Sequence, residues 1–178
     1  MADCKFLRTM LSDGNRRSIG RTNEVVDLVL AQPQRIGELV QLLWDSSEVV
    51  RMRAADALEK ISRERIGLLQ AYKSELLGLM AETTQQELRW HLAAMMPRMD
   101  LTPEECRRAA AVLELYLADR SSIVKTFAMQ GLWELARRDA ALRTRAMELV
   151  RELAETGTAA MRARGRKLLR EIDRAEAR

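Results

Sequence analysis

The sequence predicts an all-α fold, and three observations carry that expectation. Eight glycines and three prolines in 178 residues are about half the ~12% of average usage, too few for turn-rich β architecture. Ala, Leu, Met, Arg and Glu, all good helix formers, dominate, while aromatics reach only 4%. The third observation is self-similarity at a period near 37 residues, the signature of a helical-repeat architecture. With 47% hydrophobic and 31% charged positions, the chain has the balance of a folded protein with a sizeable core rather than a disordered tail.

Taken in chain order, residues 1–17 fit no repeat and read as a frayed segment or a short cap. Residues 18–178 read as a single repeat domain. An N-terminal half-repeat is suggested over Glu24 to Gln32, because Arg35-Ile36-Gly37 recurs one helix later as Arg65-Ile66-Gly67. Four first helices follow, at Ile36 to Trp44, Tyr72 to Ala81, Pro103 to Leu117 and Leu142 to Ala154. Each leads through a short polar turn to a second helix, near 48–61, 85–99, 122–138 and 158–175. Within these, Val50 to Ile61, Leu88 to Met99, Val124 to Leu135 and Met161 to Ile172 align without gaps at intervals of 38, 36 and 37 residues. Their apolar residues fall at i, i+4, i+7, i+8 and i+11, one stripe of an amphipathic helix.

The turns carry helix-start chemistry. Thr84-Gln85-Gln86-Glu87 fits a capping box, and Thr102-Pro103-Glu104-Glu105 fits one with proline at the first helical position. Asp45-Ser46-Ser47 and Asp119-Arg120-Ser121-Ser122 supply short polar caps. Pro97 should kink or end the last turn of its helix, and Met95, Met96 and Met99 beside it read as core gap-fillers.

These residues carry a resemblance to the HEAT-repeat family. The run Asp45-Ser46-Ser47-Glu48-Val49-Val50-Arg51-Met52-Arg53-Ala54-Ala55-Asp56-Ala57-Leu58 resembles the family's repeat most fully, and Asp119 to Lys125 less completely. Thr83 and Thr156 stand where the family's turn aspartate is expected, so an Asp–Arg ladder is interrupted there. The resemblance spans roughly Asn23 to Ile172. It implies an α-solenoid of about four to five HEAT-like helical pairs, armadillo-like, wound as a right-handed α–α superhelix, with partners on the ridge of second helices.

Several kinds of chemistry are disfavoured. Cys4, Cys106 and His91 are too few and too scattered for a zinc site, and no flanking motif pairs Cys106 with His91 as a nucleophile. The glycines at 14–20 and 157–165 lack the strand and the Lys-Ser/Thr pair of a phosphate loop. No metal, cofactor or catalytic residue is therefore expected, and the reading is non-enzymatic. No apolar run approaches a membrane span, and the first residues lack a secretory signal, so a cytoplasmic location is expected.

Two columns bear on function. The residue after the first aligned position is always basic: Arg51, Arg89, Lys125, Arg162. With Asp45 six residues before Arg51 and Asp119 six before Lys125, this column reads as a structural ladder bridging the turns, a phosphate ladder being the alternative. Three residues after the first aligned position come Arg53, His91, Phe127 and Arg164, which together with Lys167 are expected on an outer ridge opposite the core. An aromatic among cations there suits a protein segment or a base. Residues 137–178 hold 12 Lys/Arg against 7 Asp/Glu, a basic final repeat on a near-neutral chain. The leading expectation is a scaffold binding a protein or peptide through Arg53, His91, Phe127, Arg164 and Lys167. The alternative is a nucleic-acid binder using the basic final repeat, distantly resembling HEAT-like DNA glycosylases. Asp56 lies in a different repeat from Trp90 and Trp133, so none of that family's catalytic residues carries over. The period near 37 argues against a third resemblance, to phycobilin lyases with HEAT-like repeats.

Overall fold

A computed structural model of the chain describes residues 4–13 and 18–176, and these are predominantly helical, with no strand among them. The fold is all-α. Residues 1–3 and 14–17, part of the N-terminal segment read as a frayed stretch or cap, lie outside the described residues, as do 177–178. The chain forms two compact units, 1–99 and 100–178.

The first unit contains α1 (Cys4–Ser12), α2 (Thr22–Ala31), α3 (Ile36–Gln41), α4 (Glu48–Arg65), α5 (Lys73–Glu82) and α6 (Gln86–Met95). Short 3-10 turns at Pro33–Arg35, Leu42–Trp44, Ile66–Tyr72 and Met96–Arg98 join or end them. α1 is tied down by its own apolar face, since Leu7, Met10 and Leu11 are buried. α4 is the organising element, packed against α1, α2 and α6. Its apolar stripe of Val50, Ala54, Ala57, Leu58 and Ile61 is fully enclosed. Pro97 cannot donate to the helical ladder, and the chain after Met95 tightens into the 3-10 turn that contains it. Met95, Met96 and Met99 are all fully buried beside it.

The second unit holds α7 (Pro103–Tyr116), α8 (Ser122–Ala136), α9 (Arg143–Thr156) and α10 (Ala159–Glu176). α8 packs on α7, α9 and α10, and α9 packs on α10. Met129, Val150 and Leu168 form the core of this packing, with Leu117, Trp133, Leu153 and Leu169 around them. Gly165 permits a close approach of α10 to α9: a Cβ there would stand 2.8 Å from the Ala154 Cβ. Only a bare backbone fits without displacing a helix.

Helix starts follow the local chemistry at α4 and α7, where Ser47 Oγ accepts from Val50 N–H and Thr102 caps its helix, but the expected cap at Ser121 before α8 makes no side-chain bond. Thr102 and Glu105 form a complete capping box, Glu105 N–H donating to Thr102 Oγ1 at 3.2 Å and Thr102 N–H to Glu105 Oε2 at 2.7 Å. Asp45 Oδ1 accepts from Ser47 N–H at 2.8 Å, and Asp119 Oδ1 from Ser121 N–H at 2.7 Å, so the two aspartates shape equivalent turns. The capping box read at Thr84 does not form. The N-cap of α6 is Gln85, which makes no side-chain cap bond because its amide reaches the preceding second helix instead.

That reach belongs to a recurring rung. Gln85 Nε2 donates to the carbonyl of Glu48, the first residue of α4, at 2.9 Å. In the second unit Thr158, just before α10, shares a 2.8 Å hydrogen bond with Ser122, the first residue of α8. Other side chains also bridge residues about one period apart: Arg8 with Asp45, Asn23 with Lys60, and Ser62 with Arg98.

Candidate functional site

The five residues expected to bind a partner do not share one environment. Arg53 and His91 are each only 1% exposed. Phe127 on α8 and Arg164 on α10 are half-buried, and Lys167 is exposed with its ammonium 3.9 Å from Glu171. The expectation of an outer face is thus corrected for Arg53 and His91. At 3.6 residues per turn, their column lies about 85° from the centre of the apolar stripe, on its flank rather than opposite it. Neighbouring elements cover that flank in the first unit.

Arg53 is a clamp. Its Nη1 donates to the carbonyl of Leu11 at 2.7 Å and to that of Asp13, while Nε and Nη2 both donate to the carbonyl of Ser18 at 3.1 and 3.0 Å. A guanidinium presents a fixed fork of donors, and here the fork gathers backbone from both sides of residues 14–17. Gly20 completes the arrangement. It has φ +54°, and a Cβ on it would lie 2.9 Å from the Arg53 guanidinium carbon.

Arg53 also lines a cleft of about 150 Å³ on the α4–α6 face. Met52, Arg53 and Asp56 come from α4; Glu87, Trp90 and His91 from α6; Ile19 from the turn before α2. Arg53 and His91, of one column, therefore line the same cleft, and Asp56, expected in a repeat apart from Trp90, shares it. The charged groups are already engaged. Lys60 Nζ donates to Asp56 Oδ2 at 2.7 Å and to Asn23 Oδ1 at 2.9 Å. His91 stacks on Trp90 with ring centroids 3.3 Å apart, and its Nδ1 is buried without a hydrogen-bond partner. Burial, reinforced by the positive charges of Lys60 and Arg63, pushes its pKa down to about 3. His91 is therefore a neutral ring at physiological pH.

The three arginines of the basic column bond the turn before them, through backbone rather than aspartate, while Lys125 makes no such bond among the described residues. Arg51 Nη1 donates to the carbonyl of Asp45 at 2.7 Å, Arg89 Nε to that of Thr83 at 2.9 Å, and Arg162 Nη1 to that of Gly157 at 2.9 Å. Each arginine ties its helix to the turn before it, so the missing aspartates at Thr83 and Thr156 do not interrupt the pattern. The Asp45 carboxylate bonds Arg8 instead, Nε to Oδ2 at 2.6 Å. Burial works to raise the Asp45 pKa, but hydrogen bonds from Arg8 and Ser47 outweigh it and hold the group below its ordinary value. Asp119 shapes its turn through Ser121, and Lys125 follows half-buried on α8.

One buried group escaped sequence reasoning. Glu59 is 1% exposed and its carboxylate accepts from Arg63 Nε at 2.9 Å and Arg98 Nη1 at 2.8 Å; Arg98 also donates to Ser62 Oγ at 2.6 Å. The i, i+4 pair Glu59–Arg63 was legible in sequence, but it reads as a solvated pair until Arg98 closes it from the other side. In the second unit, Cys106 is buried and burial raises its thiol pKa, so it stays protonated at neutral pH.

Comparison of the chain with protein-family models and with curated proteins returns no match.

Proposed function

We propose that the chain is a HEAT-like solenoid and a non-enzymatic interaction module, which holds a protein segment by taking one apolar side chain into the α4–α6 cleft. The observation that carries this reading is the cleft's size and lining. At about 150 Å³ it falls below the ~300–1,000 Å³ of small-molecule sites, so it suits a single anchoring side chain. Ile19, Met52 and Trp90 provide apolar and aromatic walls of the kind that hold interface hot spots. The charged groups favour binding over chemistry, because Arg53 is taken up by backbone carbonyls and Asp56 by Lys60. The solenoid reading rests on the gapless 37-residue register and on the rung that joins successive second helices in both units.

A peptide-display selection tests the proposal. Peptides with a recurrent apolar anchor should be enriched on the wild-type protein and lost on Met52→Arg, which places a charge at the mouth of the cleft. No enrichment, or enrichment indifferent to Met52→Arg, overturns it.

The nucleic-acid alternative gains one observation, since Asp56 and Trp90 meet in this cleft. Yet a carboxylate held 2.7 Å from an ammonium is not free to assist chemistry on a base, so the peptide reading stands first.

A further inference from the structure

We propose that the exposed face of α10 is a docking surface for duplex DNA, engaged through the phosphate backbone without base readout. The helix turns Met161, Gly165, Leu168 and Ile172 into the core of its unit. Arg166, Arg170 and Arg174 lie on the opposite side and Arg162 on its flank; the four recur every four residues, all exposed. The rise of an α-helix puts them about 6 Å apart, in a row about 18 Å long. Arg162 gives one N–H to the Gly157 carbonyl, as its column requires. Arg166, Arg170 and Arg174 make no hydrogen bond or ion pair among the described residues. Three guanidinium forks without a partner among the described residues suit phosphate oxygens, which they can grip bidentately.

The rest of the face decides the partner. Ala163 lies between Arg162 and Arg166, and Ala159 precedes the row on the same face, both exposed and neither bulky enough to hold a backbone away. No aromatic stands in the row to stack unpaired bases; Trp133 lines a separate cleft with Arg137, Glu171 and Ile172 on the helix's other flank. Nor does the face carry the large apolar residues with which a helix enters a membrane interface. The major groove of B-DNA, about 12 Å wide, admits a helix, whereas that of duplex RNA is too narrow. Asp173 is the single acid within the row, and it opposes binding.

Fluorescence anisotropy of the full chain with a labelled duplex DNA of mixed sequence tests this. Three phosphate contacts give a slope of log K against log salt near −2.7, hence about 40-fold weaker binding at 200 than at 50 mM salt. Arg166→Ala/Arg170→Ala should reduce the slope by about 2, and Asp173→Asn should tighten binding. Circular dichroism of both variants should match the wild type, so that a changed affinity is not a folding effect. Absence of binding at 50 mM salt, an unchanged slope in the double variant, or tighter binding to duplex RNA or to phosphatidylserine vesicles than to DNA overturns the proposal. None of these outcomes depends on the α4–α6 cleft.

Discussion

His91 is the residue on which pH acts most directly. Its pKa is about 3 in the folded chain and 6.5 when exposed, so the unfolded chain binds the extra proton between those values. Its contribution to stability is complete above pH 6.5 and is lost progressively as pH falls toward 3. A tenfold difference in proton affinity corresponds to about 1.4 kcal/mol, so about 2 kcal/mol should disappear between pH 7 and pH 5. Lys60 and Arg63 oppose the charged ring, while Arg53, Asp56 and Glu87 line the same cleft. His91→Phe puts the residue of the equivalent α8 position into this site. It removes the orphaned Nδ1, and urea midpoints at pH 7 and 5 should converge, with no loss of stability at pH 7. Arg53 behaves oppositely. Arg53→Met leaves the carbonyls of Leu11, Asp13 and Ser18 without their donor, and the denaturation midpoint should fall by the equivalent of about 3 kcal/mol or more.

Among the elements, α7 has the most complete start. Its capping box satisfies donors on both sides of the first turn, and Thr102→Ala should cost about 1 kcal/mol in urea denaturation. This box was readable because all four of its residues are local. The box at Thr84 was equally plausible from sequence and did not form, because Gln85 serves Glu48 and Arg51 of the preceding helix. A local motif and a long-range hydrogen bond competed for one turn, and only the packed structure shows the winner. The same holds for the basic column. Its recurrence was legible, but the acceptors are turn carbonyls, and backbone acceptors leave no mark in the residue sequence.

On the scale of the whole molecule, the modest net charge of +4 conceals a polarity in the chain. Residues 1–136 are nearly neutral, and the excess lies in residues 137–178, whose last helix presents its arginines outward. No group of three or more His, Cys, Asp or Glu side chains capable of holding a metal occurs among the described residues.

The sequence alone determined the all-α class, the apolar stripes of the second helices, the Thr102 cap and the basic surplus of the final repeat. These depend on composition, on a 3.6-residue period and on chemistry within a few residues, all of which are written along the chain. What surrounds a stripe's flank is not written there. Arg53 and His91 sit at the same helical phase as the half-buried Phe127 and Arg164, yet only the first pair is sealed. Their flank is covered by segments brought in from 35 or more residues away, such as Leu11 and Ser18 on Arg53. Tertiary packing therefore turned an expected binding residue into a clamp, joined Asp56 to Trp90 in one cleft, and buried Glu59 beneath Arg98.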